Sequence, residues 1–167
     1  ADGVMQYLEE RGIGFDVGVT KVPLVCQSDL FDLTVGDPGA RPDRAMGYEA
    51  CLRAEEENYR DGNYGAGCGA TVGKFAGMDY CMKSGIGSCA LQVGELQVGA
   101  MVAVNALGDI YDWRSGQKLA GLLAEDRRSF RRTEDLMYAD TRTVENKFTG
   151  NTTIGVVITN ADFQKAS

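Results

Sequence analysis

Histidine is absent from the 167 residues. That removes imidazole as a base, a nucleophile's partner or a metal ligand, and with it Ser-His-Asp, Cys-His and zinc-His chemistry. Long apolar runs are missing too; none approaches the roughly 20 residues of a membrane-spanning helix, so no membrane partner is expected. Positive charge is in the minority. Seventeen Lys and Arg against 24 Asp and Glu leave a formal net charge of −7, the wrong sign for gripping a phosphate backbone, so no nucleic acid partner is expected. A C-x-x-C pair and a clustered His/Cys/carboxylate set with ligand spacing are both lacking, so neither a metal nor any other cofactor is implied.

What is present suits one folded domain: 44% hydrophobic residues and enough chain to bury a core. Glycine is abundant, at 22 residues, without a collagen period, so several positions need positive φ or close backbone approach. The cysteines are Cys26, Cys51, Cys68, Cys81 and Cys89. An odd count without a secretory signal favours free thiols in a reducing cytoplasm. Most are read as buried small hydrophobes, with Cys68, inside a Gly-rich loop, the one to test for reactivity.

Periodicity outlines the elements. Val4, Met5 and Leu8 share a helical face ahead of Gly12. Residues 13–19 and 22–33 read as extended, and Gly36-Asp37-Pro38-Gly39 as a turn. A helix is expected from near Pro42 to about Glu57. Residues 88–93 and 96–105 form a hairpin turning at Gly94-Glu95, its second strand apolar on both faces and so expected to be covered on both. Within residues 116–140, Leu119, Leu122 and Leu123 suggest a short helix, followed by arginines 127, 128, 131 and 132 in a salt-bridged surface. A strand over residues 153–159 and a capped helix over 160–167 close the chain. Both ends look cut, as in a fragment of a longer protein.

Two phosphate-binding readings are weak. Gly65-Ala66-Gly67-Cys68-Gly69-Ala70 fits the loose G-x-G-x-x-A pattern without a βαβ setting, and Gly73-Lys74 is followed by Phe75 where a P-loop needs Ser or Thr. A close-packed turn is the preferred reading. Asn151-Thr152-Thr153 is a glycosylation sequon, taken as accidental ahead of a buried strand. The same stretch, Gly150-Asn151-Thr152-Thr153-Ile154-Gly155-Val156-Val157, leads polar residues into an apolar strand that starts on hydroxyls. Without histidine, a hydroxyl nucleophile needs another base. A free α-amine on its own residue, with a pKa near about 8, serves once the preceding peptide bond is cut. The alternative is an ordinary strand start whose hydroxyls satisfy nearby backbone.

Residues 62–74, Gly-Asn-Tyr-Gly-Ala-Gly-Cys-Gly-Ala-Thr-Val-Gly-Lys, resemble the G-N-x-G-A-G-x-G-A-T-V-G-K signature of the L-aminopeptidase/D-esterase (DmpA-like, β-aminopeptidase) family. Ala1-Asp2-Gly3-Val4-Met5, Leu30-Phe31-Asp32-Leu33 with Gly36-Asp37-Pro38, Val102 through Asp109, and Gly150 through Val157 resemble the same family in the same order. The resemblance implies an α/β fold, an α/β/β/α sandwich of the DmpA/ornithine-acetyltransferase-like, N-terminal-nucleophile-hydrolase-like type, incomplete in this chain. It implies a precursor that cuts itself between Asn151 and Thr152, so that residues 1–151 end one chain and 152–167 begin the next. Thr152 is then the nucleophile and, through its amine, the base; Thr153 is the fallback. Asn105 is implied to polarise the oxyanion, and Gly65, Gly67, Gly69 and Gly73 to shape a structural loop.

The implied substrates are short peptides and aminoacyl amides or esters, and the implied assembly is a homo-oligomer, a tetramer. The family's supporting Ser and acidic residue fall beyond Ser167, and its oxyanion-assisting aromatic has only Leu30 or Phe31 nearby, neither with a phenol. The chain alone is therefore expected to be inactive. Two alternatives stand beside this reading: acyl transfer like that of ornithine acetyltransferases, and a noncatalytic relative keeping the scaffold.

Overall fold

The computed structural model describes residues 1–55, 58–140 and 150–162. These fall into two compact units, Ala1–Asp29 with Asp37–Tyr59, and Leu30–Gly36 with Arg60–Ser167.

In the first unit, helix α1 (Asp2–Glu9) is followed by the two-residue strands β1 (Phe15–Asp16) and β2 (Lys21–Val22), which pair antiparallel, and by helix α2 (Arg44–Leu52). The extended residues expected over 13–19 and 22–33 thus shrink to a small ribbon. Helix α2 begins where Asp43 accepts the Met46 N–H at 2.8 Å, an N-cap. It ends at Leu52, short of the expected Glu57, because the last turn tightens and Ala54 N–H bonds Cys51 O. Glu56 and Glu57 lie outside the described residues. The helices α1 and α2 meet where Gly3 lacks a Cβ that would overlap the Arg44 carbonyl, and Tyr7 and Tyr48 stack edge to face at 5.8 Å.

The second unit holds β3 (Thr71–Val72), β4 (Met82–Lys83), β5 (Ile86–Val93), β6 (Leu96–Asn105), β7 (Ile110–Tyr111), β8 (Lys118–Ala120), helix α3 (Thr133–Ala139) and β9 (Thr152–Thr159). Its main sheet has the order β5-β6-β9, antiparallel throughout; β3 pairs β4 and β7 pairs β8. The expected hairpin is present, extended back to Ile86 and turning at Gly94, whose φ of 61° suits a tight two-residue turn. The last strand starts one residue earlier than expected, at Thr152. The Asn160 side chain closes the strand end, accepting from Gln97 N and donating to Glu95 O, both at 2.7 Å. Residues 163–167 of the expected terminal helix lie outside the described residues.

Three further expectations change. Strand β6 is not covered along both faces: Leu96 and Val98 are 43% and 37% exposed, and deep burial is confined to Ala103 and Asn105 at its far end. Leu119, Leu122 and Leu123 do not form a helix. Residues 118–120 extend beside β7, and Leu122 is fully buried while Leu119 stays 55% exposed, a split that the tertiary site for Leu122 dictates. In the arginine run, Arg132 approaches Glu134 and Asp135 at 4.0 and 3.9 Å, but Asp126 holds a turn instead, accepting from Arg128 N and Ser129 N at 2.9 Å. The core of this unit gathers around β3 and the end of β6: Ala70, Val72, Ala103 and Leu122 are at most 2% exposed.

Candidate active site

Thr152 opens β9 directly opposite Asn105, the last residue of β6. Directly opposed residues share a sheet face, and neighbours along a strand alternate. Thr152 therefore lies on the Asn105 face with Ile154 and Ala103, whereas Thr153, opposite Val104, lies on the other face. The two adjacent hydroxyls, equivalent in the sequence, are separated by the pleat.

Asn105 is 1% exposed and its amide is saturated. Its Oδ1 accepts from Lys74 Nζ at 2.8 Å, Thr71 N at 3.1 Å and Thr71 Oγ1 at 3.3 Å. Its Nδ2 donates to Phe31 O at 2.7 Å and Gly150 O at 3.2 Å. The opposite amide orientation would set an NH2 group against the Thr71 N–H and a carbonyl oxygen against two carbonyls, so this network fixes the amide.

Lys74 is the second donor. Its Nζ reaches Asn105 Oδ1 at 2.8 Å and the carbonyls of Asn105 and Gly150 at 3.3 Å each, one acceptor for each ammonium hydrogen. Among the described residues no carboxylate pairs with it. Burial pushes its pKa below the ordinary lysine value, with the Cys81 thiol opposing the shift. The backbone of the same loop is pinned: Gly73 N bonds Gly108 O at 2.8 Å, and Lys74 N bonds Leu107 O at 2.9 Å.

Two donors thus converge on the Gly150 carbonyl, one residue before Asn151 and two before Thr152. Gly150 has φ of 81°, and a Cβ there would lie 2.9 Å from the Phe31 ring, so both backbone conformation and space restrict this position to glycine. Asn151, on the N-terminal side of the expected scissile bond, is half-buried.

The structure brings Asn105, Thr152, Gly150 and the end of the Gly-rich loop together and leaves Thr153 on the far face. Gly65 starts a single 3-10 turn, Gly65–Gly67; Gly67 and Gly69 are buried, and Gly73 packs on the Gly121–Leu122 backbone. Among the described residues no strand feeds that turn and no helix follows it directly, which is not a dinucleotide-binding setting. Lys74 and Thr71 were not singled out from sequence as site residues. The available signal is their position at the end of the Gly-rich signature. Cys68 is exposed and its thiol lies 3.3 Å from Asn63 O. No helix among the described residues is long and apolar enough to cross a membrane.

A buried amide, a partly buried ammonium and a strand-initial hydroxyl on one sheet end are groups suited to acyl chemistry, in which a nucleophile attacks a carbonyl and donors stabilise the charge developing on oxygen. The chain matches Peptidase family S58 over residues 1–167 and belongs to that family. It is 36% identical, over all of its own length and 46% of the relative's, to an uncharacterized aminopeptidase of Mycobacterium leprae (strain TN). It is 40% identical, over 70% of this chain and 32% of the relative, to an uncharacterized aminopeptidase of Mycobacterium tuberculosis (strain ATCC 25618 / H37Rv). It is 27% identical, over 96% of this chain and 44% of the relative, to a 6-aminohexanoate-oligomer endohydrolase of Paenarthrobacter ureafaciens. The chain spans less than half the length of each of these relatives.

Proposed function

We propose that this chain carries the processing site and nucleophile of a self-cleaving aminopeptidase or amidase. The Thr152 hydroxyl attacks the Asn151 carbonyl carbon. The Asn151–Thr152 C–N bond breaks as the ester to Thr152 Oγ forms, and the departing nitrogen takes up a proton. Water then opens the ester, leaving a carboxylate on Asn151 and a free amine and hydroxyl on Thr152. The free α-amine, with an ordinary pKa near about 8, serves as base for the hydroxyl in the mature enzyme.

The observation that carries this reading is the pairing of Thr152 with Asn105 on one sheet face, with the Asn105 amide and Lys74 ammonium both donating beside the junction. Aimed at a developing oxyanion, one such donor is worth about 3 kcal/mol of barrier. Burial depresses the Lys74 pKa and brings its neutral amine within reach at lower pH than a surface lysine, which suits it to relay the Thr152 hydroxyl proton during scission.

The proposed substrates are short peptides and aminoacyl amides or esters; two relatives carry the name aminopeptidase and another the name 6-aminohexanoate-oligomer endohydrolase. The described β5-β6-β9 sheet fits as one layer of the α/β/β/α sandwich proposed for the whole protein. A homotetramer in the cytoplasm completes the proposal. Mass spectrometry of the full-length protein tests it: a new chain starting at Thr152, lost in Thr152→Ala, is expected. Full-length protein that stays uncut while hydrolysing aminoacyl amides overturns it.

A further inference from the structure

The carboxylate of Asp109 is 1% exposed and bonded on every side. Its Oδ1 accepts from Leu122 N at 2.8 Å; its Oδ2 accepts from Lys118 Nζ at 2.7 Å and Thr133 N at 3.3 Å. None of these partners belongs to the site described above, but the backbone they hold lies against it. Gly73 has no Cβ because one would overlap the Gly121–Leu122 peptide, and Gly121 has none because one would overlap Asp109 Oδ1. The Gly121–Leu122 peptide is therefore sandwiched between the Asp109 carboxylate and the Cα of Gly73, the residue before Lys74.

The other side of the loop returns to the same turn. Gly73 N and Lys74 N bond the carbonyls of Gly108 and Leu107, in the three-residue connection that joins Asn105 to Asp109. A closed circuit results: from Asn105 along the turn to Asp109, across to Leu122, over to Gly73 and Lys74, and from Lys74 Nζ back to Asn105 Oδ1.

We propose that Asp109 is a positioning residue for the reaction, its carboxylate clamping Gly121–Leu122 against Gly73 and thereby setting where Lys74 meets Asn105. The inference rests on the proposed role of Thr152 for its effect on rate, but its effect on Lys74 is independent of that role. Asp109→Asn presents an NH2 group to at least one of Lys118 Nζ and the Thr133 and Leu122 N–H groups, all of them donors, so the clamp loosens. Lys118→Met removes the cation but leaves the carboxylate accepting from Leu122 N. A buried ion pair that merely stabilises the fold predicts that the two variants behave alike; a clamp on the lysine loop predicts that they differ.

The test uses full-length protein carrying Asp109→Asn or Lys118→Met, with thermal unfolding monitored for each. The first readout is the NMR titration of the Lys74 side chain, whose ionisable neighbour is the Cys81 thiol. The second is kcat and KM on an aminoacyl amide. Asp109→Asn is expected to raise the Lys74 titration midpoint toward that of a solvated lysine, and to lower kcat by about 10²-fold with KM little changed. Lys118→Met is expected to lower thermal stability while leaving Lys74 and kcat near wild type. Should Asp109→Asn not fold, Gly121→Ala separates Asp109 from Leu122 with both charges kept, and the same shift in Lys74 is expected. An unmoved Lys74 in Asp109→Asn or Gly121→Ala, or an equal shift in Lys118→Met, overturns the proposal. Loss of self-cleavage at Thr152 in the wild type, with Lys74 still shifted in Asp109→Asn, overturns the Thr152 reading alone.

Discussion

Asn105 and Thr152 face each other across the β6–β9 ladder, and the amide of Asn105 donates to the carbonyl of Gly150, two residues before that threonine. The hydrogen-bond donor and the hydroxyl are thereby held by one rigid sheet end rather than by separate loops. Their spacing is set by strand register, which cannot drift by one residue without turning every side chain of β9 to the opposite face.

Asn105→Ala removes the donor to Gly150 O and leaves the Thr71 N–H and Lys74 without their shared acceptor. Self-cleavage of the full-length protein is expected to slow by about 10²–10³-fold. Asn105→Asp, which turns the Nδ2 donor into an acceptor facing two carbonyls, is expected to slow it as well. A time course of chain scission by denaturing electrophoresis checks both.

Gly150→Ala meets a φ of 81° and the Phe31 ring together. Destabilisation of about 1–2 kcal/mol is expected, with slower scission because the carbonyl at 150 shifts from its two donors. Adding Phe31→Ala relieves the overlap but not the backbone strain, so partial recovery is expected in a double-mutant comparison of unfolding midpoints.

The Asp109 carboxyl gives a pH signature. Burial alone pushes its pKa up, but the hydrogen bonds from Lys118, Leu122 N and Thr133 N, with the charge of Lys118, outweigh this and hold it below the ordinary value. The folded state then binds fewer protons than the unfolded chain, so this stabilisation is complete above an ordinary aspartate pKa of about 3.9 and fades as pH falls through the folded value. Asp109→Asn is expected to cost about 3–5 kcal/mol near neutrality, since Lys118 stays buried without its anion. The gap to wild type narrows in acid. Denaturant midpoints at several pH values measure it.

Lys74 carries the opposite sense. Its pKa is lowered by burial, so the folded state releases a proton more readily than the unfolded chain, and its contribution to stability rises with pH up to an ordinary lysine value of about 10.4. Lys74→Met is expected to flatten that rise and abolish self-cleavage while the protein stays folded near neutrality. Unfolding curves between mildly and strongly alkaline pH, with a scission assay alongside, check the pair of outcomes.

The hairpin of β5 and β6 and the start of β9 were legible because local chemistry specifies them: alternating apolar residues, a glycine turn at 94, hydroxyls leading into a β-branched run. The rest depended on distant partners. Lys74 becomes a site residue only by meeting Asn105, 31 positions on, and Gly150, 76 positions on. Leu119 and Leu122 have helical spacing, yet Leu122 alone is fully buried, its backbone packed on Gly73, and residues 118–120 lie in a strand beside β7. Asp126 stands beside the arginine run, but backbone N–H groups close in sequence claim its carboxylate.

The most direct test of the account is the N-terminal sequence of the second chain released from freshly folded full-length protein, read together with its activity on an aminoacyl amide. One new terminus, Thr152, is expected, appearing in step with activity. A terminus at Thr153, on the face away from Asn105, or full activity from an unbroken polypeptide would contradict it.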